Sequence, residues 1–447
     1  MENKFIRIAD LPPDPTDAQA LTHYRDMGMN VCLLTEDNVA LVRDGKVNPE
    51  YLQAMDNIHR QGMQVWIRNM FNDPDYFDCP DTDGSNYGSP YHMDERHITT
   101  ELSGAEGFYM ADEAYMYQLP ENINISWIRP DCPQYASFDH LTRLADWKNK
   151  NAPNAFFHMN HVPANSWDHY MPRNGQVYNY EDFLTEYANT ILRRVKGCGR
   201  SLCLDNYPLI GEDYLEFDYL RDLMIAAKVT RDYNATVPDS EKAIFGICLQ
   251  TFRCKDIFAC YGHVRERDIV CPEEITLQMY CGMALGARLF EYFAYRSYLH
   301  EFYGIIDPDG NDRLYDIVKE ANRRADFYEP LLCRYQSVGG YIVPGTKESH
   351  NTRAIIQAHE YFCQPLELEV SGEYDTLVGC LLGEKQPAYL LVNYTDPSRK
   401  CISTVTVRGN VQTLTVWQDG RQTQLSSPDG CFHLTLGTGG CALVTWG

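Results

Sequence analysis

Apolar and polar positions along this chain follow two textures, one after the other. Up to about residue 335, short apolar runs take turns with longer stretches of helical period. The runs within Phe5–Ile8, Asn30–Glu36, Met63–Asn69, Gly104–Glu113, Asn154–His161, Ser201–Tyr207, Lys242–Phe252 and Arg288–Tyr295 read as buried strands, bounded by Gly, Pro or polar residues. Between them, Thr16–Gly28, Pro49–Gly62, Phe138–Lys150, Tyr180–Val195, Phe217–Tyr233, Pro272–Gly286 and Arg313–Phe327 read as helices. Pro272 opens its helix with Glu273 and Glu274 in the first turn, as the helix dipole prefers. The polar stretch from Asp73 to Thr100 reads as an extended loop.

Eight β/α units in sequence, with strands apolar throughout, predict a closed (β/α)8 barrel, a TIM barrel of parallel strands with helices outside. A doubly wound open sheet is the competing topology, but no Gly-rich phosphate turn follows the first strand. After Tyr335 helical periodicity stops. Short runs such as Tyr389–Tyr394, Ser403–Val407, Thr413–Trp417 and Cys441–Trp446 alternate with turn signals such as Asp419-Gly420 and Asp429-Gly430. This texture predicts a C-terminal antiparallel β-sandwich. The expected domains are therefore 1–335, the barrel, and 336–447, the sandwich.

Composition narrows the classes. A length of 447 residues suits two or three domains, and 44% apolar content supports a large core. A formal charge of −23, with no Lys or Arg run, argues against a nucleic-acid partner. No window approaches about 18 uncharged apolar residues, so no membrane span is expected. The 16 Cys form no C-x-x-C and no Cys/His knuckle, and several, such as Cys32, Cys203 and Cys248, sit within apolar runs. They read as reduced core thiols, which favours an intracellular setting. The N-terminus shows no apolar leader or cleavage site, so the expected location is cytoplasmic. The three N-x-S/T sites at Asn124, Asn234 and Asn393 carry little weight there. The 31 Tyr supply flat faces with polar tips, a combination that suits sugars, although core edges use it too.

On a parallel barrel the C-terminal strand ends share the catalytic face. There the chain offers Glu36 with Asp37, Arg68 with Asn69, Asp112 with Glu113, His158 with Asn160 and His161, Asp205 with Tyr207, Gln250, and Tyr295 with Arg296. The fourth strand is the most informative, because its apolar run stops abruptly on two adjacent carboxylates that packing does not require. Its plainer reading is a loop whose acids cap the next helix. Glycoside hydrolysis suits an acidic ring of this kind. It needs one carboxyl held protonated to donate to the leaving oxygen, and a second, ionised one to attack or to activate water. A metal site built on His158 and His161 is a further reading, but no H-E-x-x-H and no recurrent strand-end His supports it.

Four features resemble clan A glycoside hydrolases, especially the family 42 β-galactosidase-like barrels. They are Met-Ala-Asp112-Glu113-Ala on the fourth strand, Leu-Asp205-Asn-Tyr207-Pro208 on the sixth, the Pro272–Gly286 helix leading into Phe290–Tyr295, and the β-rich C-terminal domain. The resemblance implies that Glu113 is the general acid/base. Clan A enzymes carry a nucleophilic Glu at the end of the seventh strand, where this chain has Gln250. A neutral amide cannot attack or act as a base. Asp205 is the first choice for the second carboxylate, then Glu36 or Glu291, or Glu266 or Asp268 from the following loop. The bland alternatives are an Asx turn at Asp205 and a helix-capping acid at Glu36. The expected catalytic pair is Glu113 and Asp205. Glu36, Arg68, Asn69, Asp112, Asn160, His161, Tyr207, Gln250 and Tyr295 are expected around the sugar. No metal or cofactor is expected, and the expected partner is a carbohydrate, with the sandwich a packing partner or a homo-oligomer contact. Two alternatives stand beside hydrolysis, a degenerate barrel that binds carbohydrate without cleaving it and a metal-dependent isomerase or lyase.

Overall fold

The computed structural model describes residues 4–35, 39, 42–43, 46–68, 104–112, 138–161, 163, 172–173, 176–177, 180–197, 199–210, 214–254, 267–297, 302–307 and 313–446. Eight strands form one sheet: β1 (Ile6–Ala9), β2 (Val31–Leu34), β3 (Gln64–Arg68), β4 (Gly107–Asp112), β5 (Phe156–His161), β6 (Ser201–Asp205), β7 (Ile244–Gln250) and β8 (Leu289–Phe293). Their order in the sheet is β1-β8-β7-β6-β5-β4-β3-β2, a nearly closed parallel barrel in which β2 to β8 each lie beside their neighbours in sequence and β1 pairs with β8. Strands buried on both faces must be apolar on both faces, and β2 is fully buried along Val31–Leu34.

The helices begin where capping chemistry places them. Helix α1 (Ala18–Asp26) is capped by Asp17, whose carboxylate accepts from the backbone N–H of Gln19 and Ala20. Helix α2 (Pro49–Arg60) is capped by Asn48, with Pro49 at the first position, where a missing N–H does no harm. Helices α3 (Phe138–Asn151), α4 (Tyr180–Tyr187), α5 (Tyr219–Asn234), α6 (Pro272–Leu285) and α7 (Arg313–Asp326) complete the alternation. The Tyr180–Val195 helix expected from sequence is α-helical only to Tyr187 and continues as a π-helical turn, Ala188–Leu192.

Contacts divide the chain into two compact units. One is Ile8–Asp205 with Val229–Phe245; the other is Met1–Arg7, Asn206–Lys228 and Gly246–Gly447. The second unit is organised around α6, which is buried on every side from Glu274 to Leu285. The helix has no polar face because it has no solvent face. Gly282 lies against Ile247 of β7 so closely that a Cβ would collide with it.

On its other side α6 packs on a β-sandwich. The strands are β9 (Tyr335–Val343), β10 (Glu369–Gly372), β11 (Thr376–Gly383), β12 (Pro387–Asn393), β13 (Ser403–Arg408), β14 (Thr413–Gln418), β15 (Arg421–Ser426), β16 (Cys431–Leu436) and β17 (Cys441–Thr445). They form a six-stranded sheet, β9-β11-β12-β17-β14-β15, and a three-stranded one, β10-β13-β16. Inward residues such as Val405, Val407, Leu414 and Val444 alternate with polar ones, and together they fill the space between the sheets. Helical structure does not stop at Tyr335 as the periodicity predicts, since α8 (Thr352–Ala358) lies between β9 and β10. Its start is set by a distant residue, the buried Asp375, whose carboxylate accepts from the backbone N–H of His350 and Asn351.

Candidate active site

The first compact unit carries the C-terminal ends of β1 to β6. Strand registers place Arg68 opposite Tyr109 and Tyr109 opposite His158. The register then shifts between Tyr109 and Ala111, so that Asp112 rather than Ala111 stands opposite Asn160. This is a bulge, one extra residue in β4 relative to β5. It brings the backbone of Asp112 level with Asn160, whose other strand neighbour is Cys203 of β6.

Asn160 is 1% exposed, and its Nδ2 donates to Oδ2 of Asp205, itself 8% exposed, at 3.1 Å. By register, Asp112, Asn160 and Asp205 lie on three adjacent strand ends, and of these the Asn160 amide and the Asp205 carboxylate are hydrogen-bonded. Behind this row lies a second polar layer. Arg68, the last residue of β3, forms a buried ion pair with Asp10, just past β1. The Arg68 guanidinium sits 4.5 Å from the Tyr109 ring centroid, and Tyr109 packs at 4.6 Å on His158. His158 Nδ1 and Ser201 Oγ are 2.7 Å apart. Sequence reasoning did not single out Asp10 or Ser201. Asp10 had a signal of the kind used elsewhere, an acid directly after an apolar run.

The structure separates His161 from this row. His161 lies on the opposite face of β5 from Asn160, its ring 4.2 Å from Tyr187 and 6.1 Å from Phe183. Burial, then the neighbouring His158, pushes its pKa down to about 3, so it is a neutral ring packed on a helix. A site joining His158 to His161 would need both on one face, and strand alternation sends them apart.

The remaining candidates belong to the second unit. Gln250, at the end of β7, is committed to backbone: Oε1 accepts from Leu209 N at 3.0 Å, and Nε2 donates to Leu209 O at 3.1 Å and Arg267 O at 3.0 Å. Its own N–H donates to Gln278 Oε1 at 2.8 Å. Both side-chain amide hydrogens thus serve a loop clamp rather than an open face. Tyr207 is half-buried, edge-on to Phe252 at 5.2 Å, with its hydroxyl 3.9 Å from Cys248 Sγ. Tyr295 is buried. Of the alternative carboxylates, Glu291 is buried within β8 and Asp268 is on the surface. Glu36, Asn69, Glu113 and Glu266 lie outside the described residues.

No protein-family model matches the sequence, and no curated protein does. Solved structures with the same fold exist. A catalytic mutant of Gan42B, a GH42 beta-galactosidase from G. stearothermophilus, superposes with a TM-score of 0.55 at 8% identity, covering 100% of this chain and 99% of its own. A glycoside hydrolase family 5 protein from Bacteroides vulgatus gives a TM-score of 0.52 at 10% identity, covering 99% of this chain and 89% of its own. At these identities the likeness is one of fold. Among the described residues no helix is long and apolar enough to cross a membrane.

Proposed function

We propose that this protein is a glycoside hydrolase acting on a small glycoside or oligosaccharide by carboxylic acid/base catalysis. The observation that carries the reading is the Asp112–Asn160–Asp205 row on three adjacent strand ends of a barrel whose fold is shared with glycoside hydrolases. Asp205, whose Oδ2 accepts from the Asn160 amide, is the second carboxylate, the one that attacks the anomeric carbon or activates water. Glu113, the residue after Asp112, is the proton donor by its resemblance to the clan A acid. Arg68, fixed by Asp10, and Asp112 orient sugar hydroxyls. The engaged amide of Gln250 favours a second reading, a barrel that binds sugar without cleaving it, because the end of β7 then contributes no carboxylate.

The test is hydrolysis of a panel of nitrophenyl glycosides by wild type, Glu113→Gln and Asp205→Asn, with NMR of the anomer first formed. Loss of turnover in both variants supports the pair. Turnover of a poor-leaving-group substrate that survives Glu113→Gln refutes the acid. Saturable sugar binding by titration calorimetry without turnover supports the second reading.

A further inference from the structure

The three-stranded sheet of the sandwich carries a thiol with a base and a cation beside it, none of which the proposed chemistry uses. Along β16, Phe432 and Leu434 point into the core between the sheets, so Cys431 and His433 share the outer face. On β13, Val405 and Val407 point inward, and Thr406 and Arg408 share that outer face. The register sets Thr406 opposite His433 and Arg408 opposite Cys431. Contacts follow from that placement. His433 Nδ1 is 3.0 Å from Thr406 Oγ1, and its Nε2 is 3.9 Å from Cys431 Sγ. Arg408 Nη2 donates to the same sulfur at 3.7 Å. The turn before β16 fixes the start of the strand, because Cys431 N donates to Ser427 Oγ at 3.2 Å and to Asp429 Oδ1 at 3.3 Å. On the far side of Arg408, Glu369 of β10 stands opposite it. His433 and Arg408 are exposed and Cys431 is half-buried, so the cluster opens to solvent.

We propose that Cys431 is a modification site that forms a mixed disulfide with a small anionic disulfide, His433 acting as its base and Arg408 as the cation beside the sulfur. A nucleophile, a base within reach of it and a third group that orients the base are the parts that activate a thiol, and here all three stand on two paired strands. With Nδ1–H donating to Thr406 Oγ1, Nε2 is the acceptor of the ring and takes the Cys431 proton. The thiolate, held by Arg408, attacks one sulfur of the disulfide. That S–S bond breaks, and the departing thiolate takes the proton back from His433. One thiol and one disulfide are consumed and one of each is formed, so electrons and protons balance. On a chain of formal charge −23, an exposed guanidinium next to the thiol is what admits an anionic reagent.

The experiment incubates the full-length reduced protein with glutathione disulfide at neutral pH. Timed samples are acid-quenched, alkylated and digested without reductant, and mass spectrometry reads the adduct at each cysteine. Cys363 and Cys401, the other half-buried thiols of the sandwich, serve as references. The expected result is a glutathione adduct that forms faster at Cys431 than at either reference and is removed by dithiothreitol. His433→Gln and Arg408→Gln are each expected to slow the reaction at Cys431 by at least about threefold, and Arg408→Lys to restore part of the loss. A merely structural role would not distinguish Lys from Gln at 408. With 2-hydroxyethyl disulfide, a neutral reagent, the effect of Arg408→Gln is expected to be smaller. The proposal is overturned if Cys431 reacts no faster than the references, or if either Gln variant slows it by less than that factor. Equal losses with the neutral and the anionic reagent overturn the anionic preference.

Discussion

Replacing Arg267 by Met tests how the second unit is held together. The Arg267 guanidinium bridges two carboxylates, Asp396 Oδ1 at 2.6 Å and Glu274 Oε1 at 3.2 Å. The Arg267 side chain is 16% exposed and each acid 1%, so this is a buried cluster rather than a surface ion pair. Surface pairs are worth about 0–1 kcal/mol, whereas removing one partner of a buried pair costs about 3–5 kcal/mol because the other charge is stranded. Arg267→Met keeps most of the apolar stem and strands two carboxylates, so the upper part of that range is expected. Glu274 keeps the backbone N–H groups of Val270 and Cys271, at 2.6 and 3.1 Å, and Asp396 keeps that of Ser398, at 2.8 Å. These bonds prevent a larger loss.

The pH dependence gives the test its sign. Burial raises the Glu274 pKa in the native protein, and Arg267 is one of the influences that hold it down. A carboxyl whose folded pKa is raised contributes stability below its unfolded value of about 4.3 and loses that contribution as pH rises through the folded value. Without Arg267 the folded value climbs further, so the loss in Arg267→Met grows from acid to neutral pH. Urea unfolding followed by Trp fluorescence at about pH 5 and about pH 8 reads both quantities. A loss below about 1 kcal/mol at the higher pH, or an equal loss at both, would refute the stranded-charge argument.

Two further substitutions probe the positions that shape the candidate site. Gln250→Glu places an acceptor-only group against the carbonyls of Leu209 and Arg267, which now receive the amide hydrogens. It is expected to destabilise by about 2–5 kcal/mol and to add no glycosidase activity, measured by urea unfolding and the nitrophenyl panel. Gly107→Ala puts a Cβ 2.6 Å from the Trp66 indole. A cost of about 1–3 kcal/mol is expected, with a change in Trp fluorescence as the ring shifts over the start of β4.

Much of the barrel was legible because its signals are local. Each strand is an apolar run, and each helix start carries its own chemistry, such as Asp17, Asn48 or Pro272. What escaped the sequence depends on partners far along the chain or on the path of the backbone. The start of α8 relies on Asp375, 24 residues beyond Asn351. The bulge in β4 leaves no trace in Phe-Tyr-Met-Ala, whose residues suit a regular strand equally well. Alternation on β5 could have placed His161 opposite Asn160, but a polar strand end reads as site-facing until the helix covering it is seen. The clamp made by Gln250 could not be read from the sequence, because its partners are backbone groups 41 and 17 residues away.

That last case bears on how a barrel of this kind distributes its carboxylates. An amide can both accept from and donate to a single residue and still has a second N–H to give, and Gln250 does so with Leu209 while also holding the carbonyl of Arg267. Leu209 lies four residues beyond Asp205 in the chain, and Arg267 is the cation that Glu274 and Asp396 share. A carboxylate at 250 could make one of these three bonds and would repel the acceptors in the other two. The clamp and a strand-seven nucleophile are thus mutually exclusive at this position. Within the hydrolase reading, the second carboxylate comes from a position other than 250, and among the described residues Asp205 is a strand-end acid that an amide donor already holds in place.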